Sequence, residues 1–163
     1  MNSQQEVETP YKQFSTTVKP EWIDYNGHMN VGYYHIAFDL AVEPFFHWLG
    51  LTPEYRKARQ CSTFAHEAHL NFIKEVNQGD AIRFETRLLD YDRKRMHYYQ
   101  EMYHRDEGFL AASHESISSY MDMRTRKTAE LPDDIRDRLQ LIKNAHETLP
   151  RPWQIGSVIA TRQ

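Results

Sequence analysis

Between Trp22 and Asn30 the chain runs Trp-Ile-Asp-Tyr-Asn-Gly-His-Met-Asn, which sets Asp24, Asn26 and His28 at every second position ahead of a long apolar-periodic segment. In an extended backbone alternate side chains share one face, so the three could converge on one point and hold a water. A helix starting just beyond would aim a partial positive charge and the backbone N–H groups of Gly27, Met29 and Asn30 at that place, which suits a developing oxyanion. Asp24, ionised at neutral pH, is then the candidate general base, with nucleophile as its alternative role. Asn26 could orient water or a carbonyl through its amide, and His28 could hydrogen-bond a substrate or assist a leaving group. The same residues also serve ordinary structure, because Asp and Asn cap helices and Gly adopts positive φ cheaply. Spacing alone leaves both readings open.

Other reactive side chains carry weaker signals. His66-Glu67-Ala68-His69 has its histidines three apart in strand-like text, whereas a helical zinc pair needs them four apart, so no metal is expected. His97, His104 and His114 fall in predicted strands and read as satisfied polar positions. Cys61, the single cysteine, cannot form an internal disulfide and reads as a small hydrophobe rather than a nucleophile. Arg93-Lys94-Arg95 could pair with phosphate oxygens, although a charged hairpin tip is usually just solvated.

The elements that must position these groups follow from hydrophobic period. Tyr11 to Val18 alternates as a strand that Pro20 ends. Val31, Tyr34, Phe38, Ala41, Val42, Phe45, Trp48 and Leu49 recur at spacings of three and four, the stripe of an amphipathic helix that Gly50 terminates. Pro44 predicts a kink or a new short helix inside it, and 51–60 reads as a loop. Strand text then dominates: Phe64 to Phe72, Ile82 to Leu88, Met96 to Arg105 and Phe109 to Met123, joined by turns at Gly79-Asp80, Asp92 to Arg95 and Asp106-Glu107-Gly108. A second helix starts near Leu131-Pro132-Asp133-Asp134, with Ile135, Leu139, Leu141 and Ile142 as its apolar side. The result is an α+β pattern in which one sheet covers one very apolar helix.

At 163 residues the chain reads as one domain over 10–148, with a loose tail at 1–9 and an irregular segment at 149–163. The formal charge of −3 is spread evenly, so no basic stripe supports nucleic-acid binding. The N-terminus has neither the basic start nor the apolar core of a signal peptide, and no run approaches the ~18 apolar residues of a membrane span. A cytoplasmic protein without membrane or nucleic-acid partners is the expectation.

Asp-x-Asn-x-His followed by a hydrophobic helix resembles the active-site motif of hot-dog-fold thioesterases, particularly the Asp-x-Asn-x-His-x-Asn-Asn signature of acyl-carrier-protein thioesterases, with Val31 replacing the last Asn. The order of elements over 10–140 is similar, as is Arg126-Lys127 before Leu131-Pro132. The resemblance implies a curved antiparallel sheet around a central helix, hydrolysis of acyl-CoA, no metal or separate cofactor since coenzyme A belongs to the substrate, and a homodimer or dimer of dimers with the site between subunits. An exposed terminal strand would favour pairing independently. In such enzymes the carboxylate lies in this loop or on a strand across the interface, which makes Glu67 the alternative base and Asp24 then an orienting group. Arg93-Lys94-Arg95 resembles the hairpin tip with which benzoyl-type members hold the nucleotide. Trp22, Tyr25, Tyr33 and Tyr34 surround the motif, aromatic residues make up 13% of the chain, and aromatic faces attract quaternary ammonium groups. Trp-Ile-Asp-Tyr-Asn-Gly-His-Met is similar to the thioesterase modules fused to carnitine dehydrogenases, which implies a betainyl substrate. Tyr34 and Trp22 also fit plain core positions. An acyl-thioester hydratase or dehydratase, and a non-catalytic acyl-CoA-binding protein, are the alternatives.

Overall fold

The computed structural model describes residues 6–161, so the first five residues of the expected tail and the last two of the irregular segment lie outside the described residues. Strands β1 (Tyr11–Thr17), β2 (Cys61–Phe72), β3 (Ala81–Tyr91), β4 (Arg95–His104) and β5 (Leu110–Asp122) form an antiparallel sheet in the order β1-β3-β4-β5-β2, with the short β6 (Lys127–Thr128) added to β5. Register shifts at Ala65/Glu67 in β2 and Leu88/Asp90 in β3 supply local bends of the kind that curl a sheet. The long helix α1 (Val31–Leu49) lies in the curve and buries Tyr34, Ala37, Phe38, Ala41, Val42, Phe45, Phe46 and Leu49. Facing it are Phe84 and Leu88 of β3 and Met96, Tyr98 and Met102 of β4. Even-numbered residues of β4, and of β3 up to its bulge at Leu88/Asp90, meet the helix and odd-numbered ones face away; beyond the bulge the parity flips and Tyr91, opposite Met96, packs on the core.

Local chemistry fixes the ends of α1. Asn30 caps it by accepting from the Gly32 amide at 2.9 Å, and Gly50 ends it at φ 121° with its N–H bonded to His47 O and Phe46 O. The helix continues through Pro44 instead of breaking. The carbonyl that Pro44 leaves without a donor belongs to Leu40, on the exposed side, where water can replace the missing N–H. The expected loop after Gly50 contains a short helix, α2 (Pro53–Arg59), begun by a Thr52 cap with Pro53 at its first position and closed by Gln60 in the left-handed region. It buries no residue, so it lacks the apolar stripe by which periodicity reveals a helix. In α3 (Asp133–His146) the buried side is Ile135, Leu139, Ile142 and His146, while Leu141 is exposed.

Both ends of the described chain are tied to this frame. Val7 packs against the core, and the Glu8 carboxylate accepts from the Lys12 amide at 2.9 Å. From Pro150 to Thr161 there is neither helix nor strand. That segment meets the sheet face turned away from α1: Arg87 donates to Pro150 O at 2.8 Å and the Gly156 amide to Glu115 Oε2 at 2.7 Å. Among the described residues no helix is long and apolar enough to cross a membrane.

Candidate active site

The motif is a closed loop at the start of α1 rather than an extended strand. Ile23 and Met29 bridge antiparallel, the Asp24 amide donates to His28 O at 3.2 Å, and the Gly27 amide to Asp24 O at 3.0 Å across a tight turn. Gly27 sits at φ 82°, which a side chain would strain. The alternation expected of an extended backbone is therefore lost, and a different set of groups gathers around Asp24. Its Oδ1 accepts from the Asn26 amide at 2.8 Å and its Oδ2 from Asn30 Nδ2 at 3.1 Å. The Asn26 amide, then the Asn30 side chain and the nearby His28, hold the Asp24 carboxyl below the usual aspartate range despite some desolvation. A carboxylate has about four acceptor positions, so two remain for a water. His28 is half-buried with Nδ1 on Met29 O at 3.1 Å; that carbonyl needs a donor, which leaves the lone pair of neutral His28 on Nε2.

The backbone donors differ from those the sequence suggests. Gly27 N–H bonds Asp24 O, Met29 N–H bonds Val76 O at 3.0 Å, and Asn30 N–H bonds Trp22 O at 2.9 Å, so none has a free proton for a carbonyl oxygen. In the first turn of α1, Gly32 N–H meets the Asn30 cap and Tyr33 N–H bonds Asn30 O at 3.0 Å. Val31 N–H is the amide of that turn with no such partner among the described residues, and Val31 itself is exposed. It also carries the positive end of the helix dipole.

The remaining expected residues occupy three other places. Trp22 is buried and stacked on Tyr33 at 5.9 Å with Lys19 over its ring, and Tyr34 is buried with its hydroxyl on the Val76 amide and its ring edge-on to Phe72. Both serve as core, while Tyr25 is 97% exposed, so these aromatics form no enclosed cage within one chain. Glu67 pairs in register with Ile117 on the face turned away from α1, in a cleft with His69, His97 and Glu115. Arg93, Lys94 and Arg95 do line a shared cleft of about 600 Å³ with His66, Asp92, Ser119 and Thr128. There Arg93 pairs with Glu130 at 3.0 Å and Arg95 with Asp92 at 2.7 Å, whereas Lys94 has no ion pair among the described residues.

The strand histidines divide. His97 bonds Glu115 at 2.8 Å, and His104 lies 3.5 Å from Asp80 and accepts from the Glu107 amide through Nδ1. His114 is only half satisfied: Nδ1 meets Gln100 Oε1 at 3.0 Å, but the buried Nε2 has no partner. Burial, reinforced by neighbouring His35, lowers its pKa to about 4. Strand alternation places His114 on the helix side but gives no sign of an unmatched nitrogen. Among the described residues no group of three His, Cys, Asp or Glu side chains could hold a metal ion.

A curled antiparallel sheet around one helix, with a carboxylate at that helix's free N-terminus, defines a hot-dog hydrolase of thioesters. The chain belongs to the thioesterase-like superfamily, whose sequence profile matches residues 18–139. A betainyl-CoA thioesterase of Pseudomonas aeruginosa is 34% identical over 146 residues, covering 90% of this chain and 92% of that one. An L-carnitine dehydrogenase/betainyl-CoA thioesterase of Agrobacterium fabrum is 30% identical over 158 residues, 97% of this chain but 32% of the fused relative. A Staphylococcus aureus protein characterised in complex with CoA superposes with a TM-score of 0.86 at 26% identity, covering 96% of this chain and 99% of that one.

Proposed function

We propose that this chain hydrolyses the CoA thioester of a small acyl group bearing a trimethylammonium head, betainyl-CoA, to the free acid and CoA. The observation that carries this reading is an ionised Asp24 bonded to Asn30, the residue before the Val31 amide that has no hydrogen-bond partner among the described residues, in a chain similar over 90% of its length to a betainyl-CoA thioesterase. Asp24 takes a proton from water as the water oxygen attacks the thioester carbon. The Val31 N–H and the helix dipole stabilise the oxyanion, so the oxyanion donor is one residue beyond the expected Gly27, Met29 and Asn30. Asn26, whose side chain is exposed, and His28 through Nε2 orient the water and the carbonyl. The carbon–sulfur bond then breaks and the CoA thiolate leaves. Glu67, on the opposite sheet face, is assigned no part in the base chemistry of its own chain.

The cleft at the β3–β4 turn receives the nucleotide. Lys94 offers a cation with no ion pair among the described residues, and Arg93 and Arg95 join by exchanging Glu130 and Asp92 for phosphate oxygens. Likeness to a protein characterised with CoA supports this assignment. Coenzyme A is the substrate's own handle and no separate cofactor is invoked; a cytoplasmic location fits such a substrate. Neutralising Arg93 and Lys94 should raise KM with little change in kcat. Two copies are proposed to meet along β2, as a homodimer or a dimer of dimers.

Incubation with betainyl-CoA, its uncharged isostere 3,3-dimethylbutanoyl-CoA and an enoyl-CoA, in the presence of a thiol-detecting reagent, tests the reading. Thiol release with preference for betainyl-CoA is the expected result. Equal rates on the first two would remove the ammonium assignment. Hydration of the enoyl group without thiol would replace hydrolysis by a hydratase reaction, and binding without turnover would leave only an acyl-CoA-binding protein.

A further inference from the structure

Strand β2 carries one residue more than β5 across from it. Ala65 lies opposite Ser118 and Glu67 opposite Ile117, so His66 is the inserted residue of a bulge. Alternation is broken there, and two successive side chains fall on the sheet face turned away from α1. Glu67 lines the cleft with His69 and His97, and His66 lines the separate cleft at the β3–β4 turn. Bulges disrupt a ladder, re-aim side chains and are enriched beside active sites, so this one calls for a functional reason. The re-aimed ring turns inward over the sheet, with Nε2 2.7 Å from Ser119 Oγ on β5. Pairing of two copies along the outer edge of β2 would therefore leave it in the cleft.

That cleft, of about 600 Å³, also holds Asp92, Arg93, Lys94, Arg95, Ser119 and Thr128. Its carboxylate is fully engaged: Asp92 Oδ1 accepts from the Lys94 and Arg95 amides at 2.8 Å each, and Oδ2 meets Arg95 Nε at 2.8 Å and Nη2 at 2.7 Å. Those donors, the Lys94 amide foremost, hold the Asp92 carboxyl below the usual aspartate range. Arg93 is held in turn by Glu130. Both arginines must leave a carboxylate before they can meet a phosphate. Lys94 and His66 need not, since Lys94 has no ion pair and His66 Nδ1 no hydrogen-bond partner among the described residues. The Ser119 hydroxyl can give its proton to Nε2, which puts the ring proton on Nδ1 and makes that nitrogen a donor.

We propose that His66 is a further coenzyme-recognising residue, whose Nδ1–H donates to a phosphate oxygen of bound CoA while Ser119 fixes the tautomer and direction of the ring. This rests on the reading above that the cleft receives the nucleotide. CoA brings two sources of such an oxygen, the diphosphate and the 3′-phosphate, and pantetheine brings neither. A hydrogen bond to a charged acceptor is stronger than one between neutral groups, so a single donor in this place should be measurable.

Calorimetric titration of the full chain with CoA, 3′-dephospho-CoA and pantetheine tests this without relying on turnover. Wild type should bind CoA more tightly than pantetheine. His66→Ala should weaken CoA binding about fivefold and leave pantetheine unmoved, whereas His66→Asn, whose amide nitrogen can stand in the place of Nδ1, should keep most of the affinity. A loss confined to CoA assigns the bond to the 3′-phosphate, and a loss shared with 3′-dephospho-CoA assigns it to the diphosphate; either supports the role. An equal loss for pantetheine would contradict it. Wild type that binds CoA no better than pantetheine would sink the nucleotide cleft itself. A wild-type preference that Lys94→Ala lowers and His66→Ala leaves intact would overturn the role of His66 alone. If His66→Ala does not fold, Ser119→Ala, which releases the ring without removing it, carries the test: a weakened Kd for CoA supports the proposal and an unchanged one contradicts it.

Discussion

Asp24 serves two purposes through one carboxylate: it closes the loop before α1 and presents the remaining lone pairs to solvent beside Val31. Asn30 links the two, since its oxygen caps α1 while its nitrogen holds Asp24 Oδ2. Asn30→Ala should therefore cost about 1 kcal/mol of stability through the lost cap. It should also let the Asp24 pKa rise, moving the acid limb of kcat/KM to higher pH, because the Asn26 amide and His28 then lower it without the Asn30 side chain. Thermal unfolding and a pH–rate profile measure the two effects separately; an unmoved limb would mean that Asp24 does not govern it. Asp24 is legible in the sequence because Asp-x-Asn-Gly-His is a compact local pattern. The oxyanion donor is not, since which amides remain free depends on Val76 and Trp22 carbonyls brought in by tertiary structure.

Histidines that join elements make the fold sensitive to acid. His146, at the end of α3, accepts from the Leu88 amide through Nδ1 at 2.9 Å and bonds Glu8 O through Nε2 at 2.8 Å, pinning α3, the β3 bulge and the N-terminal segment together. Burial, helped by Arg87, lowers its pKa, and burial with His35 lowers that of His114 from 6.5 to about 4. Each ring binds its proton more readily in the unfolded chain. Their contribution is complete above pH 6.5, declines as pH falls towards the folded values, and is absent below them. For His114 this is about 3 kcal/mol. Urea unfolding should thus show stability falling between about pH 6.5 and 4, with His114→Phe flattening part of the slope; a flat wild-type profile would contradict the neutral buried state. At this scale the strands and α1 follow directly from period, because half-buried strands and a one-sided helix imprint alternation and a three-four stripe. Helix α2 does not, because it buries no residue fully and sets only Tyr55 against the core, and the loop at 24–28 does not, because a turn replaces the alternation.

For the molecule as a whole, β2 is an edge strand with Ala65 to Ala68 exposed, flanked by the uncovered apolar side chains Val31, Ile36 and Leu40 of α1 and Phe72 and Ile73. Unpaired strand edges beside apolar surface favour pairing with a second copy. Ile36→Asp should shift sedimentation towards a monomer and lower kcat/KM at least tenfold if the site is completed between subunits; unchanged mass and activity would place the contact elsewhere. The element order and its resemblance make this architecture legible before any coordinates, whereas the neutralised arginines at the β3–β4 turn and the unmatched His114 depend on contacts between distant strands. The central claim is that Asp24 at the free end of α1 performs the hydrolysis. Steady-state thiol release from betainyl-CoA by Asp24→Asn tests it most directly: kcat should fall about 10²-fold or more while KM and melting temperature stay close to wild type. Turnover within a few-fold of wild type would contradict it.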